Sequence, residues 1–338
     1  MNRLPTQPLG LCLRAALVVA AAVLASGCAF DGPMSTLVAR SDLNRSILSV
    51  YRIITWATVI IGLLVFVILA VVLLRFRERP GLVARQIHGH TALEIAWTIA
   101  PALVLLIIAI PTIQVIFRTQ TAAAPQNALE VRVRGWQWWW EFRYPSLDVV
   151  TANEAHVPVG QPIVFVMEGP DVIHSFWVPQ LGGKRDVVPG RLNRITLTPE
   201  HPGEYWGQCA EFCGASHANM QLRVVVDEPA AFDRWVAAQK APAPEPSGDG
   251  AAGKEIYARS ACVGCHTIRG VSAGVLGPDL THFGSRTLFG AGLWPTTADN
   301  VAAWVKDPPA LKPGAKMPNL HLSDADSKAV AAYLVGLK

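Results

Sequence analysis

Residues 207–220 read GQCAEFCGASHANM. Cys209, Cys213, His217 and Met220 fall within twelve positions, and His174 lies upstream in VIHSFWVP, residues 172–179. Thiolate, imidazole and thioether together form a donor set suited to copper. Zinc would want four closing Cys/His ligands at other spacings and would leave the methionine idle. A mononuclear blue-copper site uses one Cys, two His and a weak Met. Here a second Cys stands in the same loop, so two thiolates can bridge two copper ions, each capped by one His. The competing reading is a Cys209–Cys213 disulfide with His217 on the surface, which does not account for the full five-ligand set.

Around this loop the hydrophobic period is two. Leu129, Val131 and Val133 alternate with Glu130, Arg132 and Arg134. Similar runs recur at 163–167, 192–197 and 222–226, with turns such as Val159-Gly160 and Val188-Pro189-Gly190 between them. Short strands with regular turn signals predict an all-β sandwich or barrel over residues 121–240. In GWQWWWEF, residues 135–142, alternation puts Trp138 and Trp140 on one face and Trp139 on the other, where it packs. A membrane-interface belt or plain core packing is the simpler reading of this run.

Toward the N-terminus the chain is apolar. The 338 residues are 51% hydrophobic and only 16% charged, and the excess sits before residue 120. Residues 1–28 read as a signal sequence, with Arg3 and Arg14, an apolar Leu17–Ala25 and a closing LASGC. LASGC resembles a lipobox that would lipidate Cys28, although Ala25 stands where Leu is usual. Cleavage nearby with Cys28 a spectator fits the same residues. Within 40–120, two uncharged runs at about 53–74 and 95–117 are long enough to span a bilayer. Pro101 and Pro111 are tolerated there. The loop between them carries Arg75, Arg77, Arg79 and Arg85 against one acid, Glu78, so the positive-inside rule puts it in the cytoplasm and both hairpin ends outside. Glu94, at the mouth of the second span, reads as an interface anchor or as part of a proton path.

Toward the C-terminus, residues 241–250 (APAPEPSGDG) predict a linker, extended in its proline part and bending in its Ser/Gly part. Residues 251–338 turn helical. Ile256, Tyr257 and Ala261 form a packing face. Ser323 is a fair N-cap, and Ala329, Val330, Tyr333, Leu334 and Leu337 recur at helical spacing. CVGCH, residues 262–266, is the c-type haem attachment pattern, with Cys262 and Cys265 adding to the vinyl groups and His266 ligating iron. A redox dithiol would gain nothing from the adjoining His, and no second C-x-x-C exists for zinc. Met317 is the sixth-ligand candidate, because a thioether raises the iron potential. His282 and His321 compete with it. His88, His90, His156 and His201 read as solvent-facing loop residues. Residues 126–240 hold ten bases and thirteen acids, and 251–338 nine bases and six acids. These opposite signs favour docking, and a short flexible tether would hold the two together at a local concentration on the order of millimolar. Lys306, Lys312 and Lys316 read equally as a rim around the haem edge or as solubilising charges. No basic stripe with interleaved aromatics exists, so a nucleic-acid partner is not expected.

The hairpin with LEIAWTIAPALVLLIIAIPT (93–112), the run GWQWWWEF and the loop GQCAEFCGASHANM together resemble subunit II of the haem–copper cytochrome c oxidases. The resemblance covers residues ~40–228. It implies a multidomain membrane protein: a two-helix transmembrane hairpin, an all-β cupredoxin barrel and, from the haem motif, a fused all-α class I cytochrome c domain. It implies that Cys209 and Cys213 bridge a dinuclear CuA centre, with His174 and His217 as terminal ligands. Met220 and the Glu211 carbonyl would be axial ligands, one to each copper. The Glu211 side chain would reach magnesium at the boundary with subunit I. Trp138 would sit where electrons arrive from cytochrome c, and Glu94 at the mouth of a proton channel. Asp171 would orient the copper loop or the donor. Gly277 and Pro278 resemble the cytochrome c loop whose proline carbonyl holds the axial His. The expected function is to accept electrons in an aerobic respiratory oxidase. They would pass from cytochrome c through haem c and CuA to subunit I, where oxygen is reduced with proton translocation. Subunit I and subunit III are the expected partners. The expected location is the bacterial inner membrane, with both redox domains on the periplasmic side. Two other readings compete with this one. A CuA-bearing nitrogen-oxide reductase would lack the hairpin with Glu94, and a quinol-oxidase-type subunit would have lost the copper ligands.

Overall fold

The computed structural model describes residues 31–77, 80, 81, 83, 86, 88–120 and 124–338. The signal-sequence reading, Cys28, Glu78, Arg79 and Arg85 lie outside the described residues. Helix α1 runs Asp42–Arg75 and α2 runs Thr91–Gln120. At ~1.5 Å per residue α1 is much longer than a ~30 Å hydrocarbon layer. It begins eleven residues before the expected span because Ser41 caps it, its Oγ accepting from Asn44 N at 3.1 Å, and Asp42 favours the first turn. Those extra turns are not for lipid. Leu43, Asn44 and Leu48 are buried, Asn44 donates to Gln180 O at 3.1 Å, and Ser41 Oγ donates to Leu181 O. The first helix is thus a post fixed to the β domain, while its remaining length and most of α2 expose Leu, Ile, Val and Phe.

Ten strands follow: β1 Leu129–Trp136, β2 Trp139–Tyr144, β3 Val149–Ala152, β4 Glu154–Pro158, β5 Ile163–Glu168, β6 His174–Trp177, β7 Arg185–Val187, β8 Asn193–Leu197, β9 Gly203–Cys209 and β10 Gln221–Asp227. They form two five-stranded sheets, ordered β3-β2-β1-β5-β8 and β4-β10-β9-β6-β7. The alternating positions Leu129, Val131 and Val133 of β1 and Leu222, Val224 and Val226 of β10 fill the core between the sheets. This is a cupredoxin-like sandwich. Gln137 and Trp138 form the turn between β1 and β2, yet Trp138 and Trp140 both bury in the sandwich core, as the alternation expects. Trp139 packs, lying parallel on Trp136 at 5.8 Å.

Helix α3, Pro229–Lys240, starts on a proline at its first turn and lays Phe232 and Trp235 on the sandwich. The reading of His156 as a solvent-facing loop residue is corrected. It lies on β4 and stacks on Trp235 at 4.5 Å. Its Nδ1 is 2.7 Å from Asp227 Oδ2 and its Nε2 3.4 Å from Glu154 Oε1. Burial disfavours its charge, but the bonds to Asp227 and then Glu154 outweigh that and raise its pKa.

The last unit contains α4 Asp249–Arg259, α5 Cys262–Cys265, α6 Ala298–Lys306, α7 Pro308–Leu311 and α8 Asp324–Gly336, with two short hairpins. Ser323 caps α8 by accepting from Asp326 N, and Val330, Tyr333 and Leu334 bury against Ile256 and Tyr257 of α4. Ala261 is exposed and does not join that face. The expected flexible tether is also corrected. Arg269 donates to Lys240 O at 3.0 Å, His282 Nε2 lies 3.1 Å from Ala241 O, and Lys254 pairs with Glu245 at 2.7 Å. These bonds fasten the start and middle of the stretch to the helical unit.

The stabilisation from a His156 imidazolium is fully present below the unfolded value near 6.5 and is lost as pH rises through the raised folded value. His156→Gln should cost ~1.5–3 kcal/mol at pH 6 and much less at high pH. Chemical denaturation of both proteins across pH measures this, and an equal loss at every pH would contradict it.

Candidate metal and haem centres

Strand pairing builds the first site. β6 opens at His174 and pairs with β9, which ends at Cys209, in the register Phe176↔Cys209. The loop after Cys209 is closed at its base: Cys209 N donates to Met220 O and Ala210 N to Ser175 O, both at 2.9 Å. A short 3₁₀ turn at His217–Asn219 returns His217 to Cys213.

The two sulfurs stand 3.8 Å apart. A disulfide would need ~2.05 Å, and both cysteines are free. Each sulfur has its own imidazole. Cys209 Sγ is 3.8 Å from His174 Nδ1, and Cys213 Sγ is 3.6 Å from His217 Nδ1. Met220 Sδ lies 3.9 Å from Cys213 Sγ, and Glu211 O lies 3.2 Å from Cys209 Sγ. His174, Cys209, Cys213 and Met220 are buried. Cys213 donates to Cys209, which holds the Cys209 thiol far below its ordinary range and drives Cys213 above it. One proton between two buried sulfurs is what a bridging metal pair would displace.

Asp171 orients the first imidazole. Its Oδ1 is 2.8 Å from His174 Nε2, and its Oδ2 accepts from Gln137 N at 2.8 Å. That bond places the proton on Nε2 and leaves Nδ1 facing the sulfurs as a donor lone pair. Burial disfavours a charged His174, but the bonds to Asp171 and Cys209 raise its pKa overall. Trp138 Nε1 and Gln137 Nε2 both donate to Cys213 O, at 3.0 and 2.8 Å. Trp138 is therefore wedged against the loop. Glu94 stands apart, in the first turn of α2, where its Oε1 accepts from His90 N at 3.3 Å. It is separated from the β domain by roughly 40 Å of helix.

The second site is the CVGCH turn. Helix α5 puts Cys262 and Cys265 one turn apart, and His266 follows. His266 Nδ1 lies 2.8 Å from Pro278 O, so Nδ1 carries the proton and Nε2 is left as the ligand atom. A Cβ on Gly277 would sit 2.5 Å from His266 Cε1, so only glycine lets this loop pass the ring. Burial lowers the His266 pKa, more than the Pro278 bond raises it, and keeps the imidazole neutral for a metal. These residues fit a covalently held haem. Met317 is half-buried. Of its competitors, His282 is buried with Nε2 on Ala241 O, and His321 is exposed.

Three family models match the chain: "Cytochrome C oxidase subunit II, transmembrane domain" over residues 37–115, "Cytochrome C oxidase subunit II, periplasmic domain" over 146–228, and "Cytochrome c" over 250–338. The cytochrome c oxidase subunit 2 of Alkalihalophilus pseudofirmus is 37% identical over 287 residues, covering 82% of this chain and 83% of the relative. That of Bacillus subtilis is 36% identical, covering 80% and 83%. The chain belongs to the cytochrome c oxidase subunit II family. A quinol oxidase subunit 2 of Bacillus cereus is 30% identical, covering 58% of this chain and 70% of that one. The solved periplasmic domain of cytochrome oxidase subunit II of Bradyrhizobium japonicum is 34% identical, covering 35% of this chain and 97% of that one, with a TM-score of 0.34.

This oxidase subunit II is part of a haem–copper oxidase complex, with subunit I as its partner. Its periplasmic domain implies CuA copper and its cytochrome c domain implies haem, and both donor sets above fit. It is a membrane protein with an extracellular domain. Sequence reasoning missed Gln137 as a support of the loop, and a polar residue in a tryptophan run carries no signal for that. Asp171→Asn should lower copper affinity roughly 10–100-fold. Chelator competition measures this, and wild-type affinity in the variant would refute the orienting role.

Proposed function

We propose that this subunit accepts electrons from a cytochrome c donor and passes them to subunit I in an aerobic respiratory oxidase of the bacterial inner membrane. The observation that carries the reading is the pair of sulfurs 3.8 Å apart, each with its own imidazole. Cys209 and Cys213 would hold two coppers between them, with His174 and His217 at the ends and Met220 and the Glu211 carbonyl as weaker axial donors. Cys262, Cys265, His266 and Met317 would hold the haem. When bound, these groups supply one-electron carriage, from donor to haem c to CuA to the oxygen-reducing centre of subunit I, where proton translocation is driven.

The protein's own residues arrange that passage. Asp171 and Pro278 fix the tautomer of one imidazole at each site, so that each offers a ready lone pair. Cys209 and Cys213 are themselves buried, which keeps water from the sulfurs. In the loop Phe212 is 76% exposed, and Ile173, next to His174, is also exposed. That apolar patch beside His217 suits subunit I. Glu211, exposed, is available to magnesium at the same boundary. Glu94, at the opposite end of α2, suits a proton-channel mouth shared with subunit I. Subunit III would complete the complex.

The test is stopped-flow reduction of the purified complex by reduced cytochrome c. Haem absorbance should change first and copper absorbance second. Cys213→Ser should preserve the haem phase and abolish the copper phase and turnover. Full turnover in Cys213→Ser, or copper reduced before haem, would contradict the proposal.

A further inference from the structure

The haem domain meets the copper loop through a short segment just before Met317. Lys312 is 4% exposed, though it is an ammonium. Its Nζ donates to Trp138 O at 2.8 Å and to Gly290 O, in its own domain, at 3.0 Å. No carboxylate pairs with it among the described residues, so the charge is held by carbonyl dipoles alone. Burial depresses its pKa to about 7, against a smaller opposing influence of the nearby Cys213. Burying a lysine this way is unfavourable unless geometry compensates.

The following residues continue the contact. Pro313 O accepts from Ser216 Oγ at 2.5 Å. Gly314 has φ +78°, and a Cβ there would lie 2.8 Å from Trp138 Cη2 and 3.2 Å from Ala215 Cβ. Only glycine satisfies both the left-handed backbone and that approach. Lys316 Nζ is 4.0 Å from Asp171 Oδ2, on the carboxylate that orients His174. The segment thus touches Trp138, Ala215, Ser216 and Asp171, all on or beside the copper loop. Two further contacts hold the domain in this pose: Gln221 N donates to Ala291 O at 3.1 Å, and Thr287 Oγ1 donates to Glu154 Oε2 at 3.1 Å.

We infer that residues 312–316 form a plug over Trp138 and, at the same time, the bridge from the haem ligand loop to the copper loop, with Lys312 as its positioning residue. The inference rests on the proposed roles of Met317 and the copper loop. Trp138, the expected landing point for a soluble donor, is only 8% exposed, so such a donor reaches copper only through the haem domain. From Gly314 the contacts lead to the Trp138 ring and then across its Nε1–Cys213 O bond. This continuous packed path avoids a solvent gap. Lys312 holds it closed by tying Trp138 to Gly290 from between the two domains.

Two readouts test this on the full chain. In metal-free protein, amide hydrogen exchange over 136–140 and 213–216 should be slow and should quicken at least about tenfold in Lys312→Glu. Exchange in 324–336 should stay unchanged, reporting an intact haem domain. Lys312→Met, which loses the bonds without adding a charge, should show a smaller change of the same sign. In the loaded complex, haem-to-copper transfer after photoreduction should slow at least tenfold in Lys312→Glu, with both absorption spectra preserved. Fast exchange at 136–140 in the wild type would overturn the plug. Unaltered transfer in a Lys312→Glu protein whose exchange has quickened would overturn the bridge. Loss of either absorption spectrum in the wild type would count instead against the proposed cofactor ligands, and the exchange readout does not depend on them.

Discussion

One backbone hydrogen bond, Cys209 N to Met220 O, closes a loop whose ends are pinned by neighbouring strands. That closure holds two buried sulfurs 3.8 Å apart, too far to bond and close enough to share a proton or a pair of metal ions. Without it, the five donor residues would be scattered polar groups in a core that penalises each of them. With it, burial works in the site's favour. The thiols are shielded, the two sulfurs share a proton, and the His174 imidazole is aimed by Asp171, outside the metal shell.

Around this loop, Trp138 and Ser216 are covered by the haem domain. Phe212 and Ile173 are apolar and exposed. Helix α1 is fastened to the same β domain through Ser41 and Asn44, which sets the height of the site above the membrane. The subunit is therefore built as a connector, with a fixed post, a shielded centre, a covered face and an open one. The haem domain is bolted on rather than loosely tethered, since Arg269 and His282 hold the carbonyls of the connecting stretch.

The sequence made some of this legible and hid the rest for physical reasons. The copper loop could be read because four of its donor side chains lie within twelve residues, and CVGCH because its spacing is local. The strands around Val131 and Val224 could be read because each buries one face. The Trp run could be read in its burial, with Trp138 and Trp140 in the core, but not in its turn at Gln137 and Trp138. His156 read as exposed because its partners, Asp227 and Trp235, arrive from distant elements. Lys312 could be read as one of three lysines near Met317, but not as buried. A lysine in a loop reads as solvated, and only the meeting of two domains buries it. The proline-rich connector read as flexible because two of its three restraints, from Arg269 and His282, come from side chains nearly thirty or more residues away.

The central claim is that Cys209 and Cys213 jointly clasp two copper ions. Low-temperature electron paramagnetic resonance of the oxidised full-length subunit, combined with metal analysis, tests it most directly. The account predicts two coppers per chain and a hyperfine pattern from one unpaired electron shared equally by both nuclei. A pattern from a single copper nucleus, or a chain that binds one copper and leaves a titratable thiol, would contradict it.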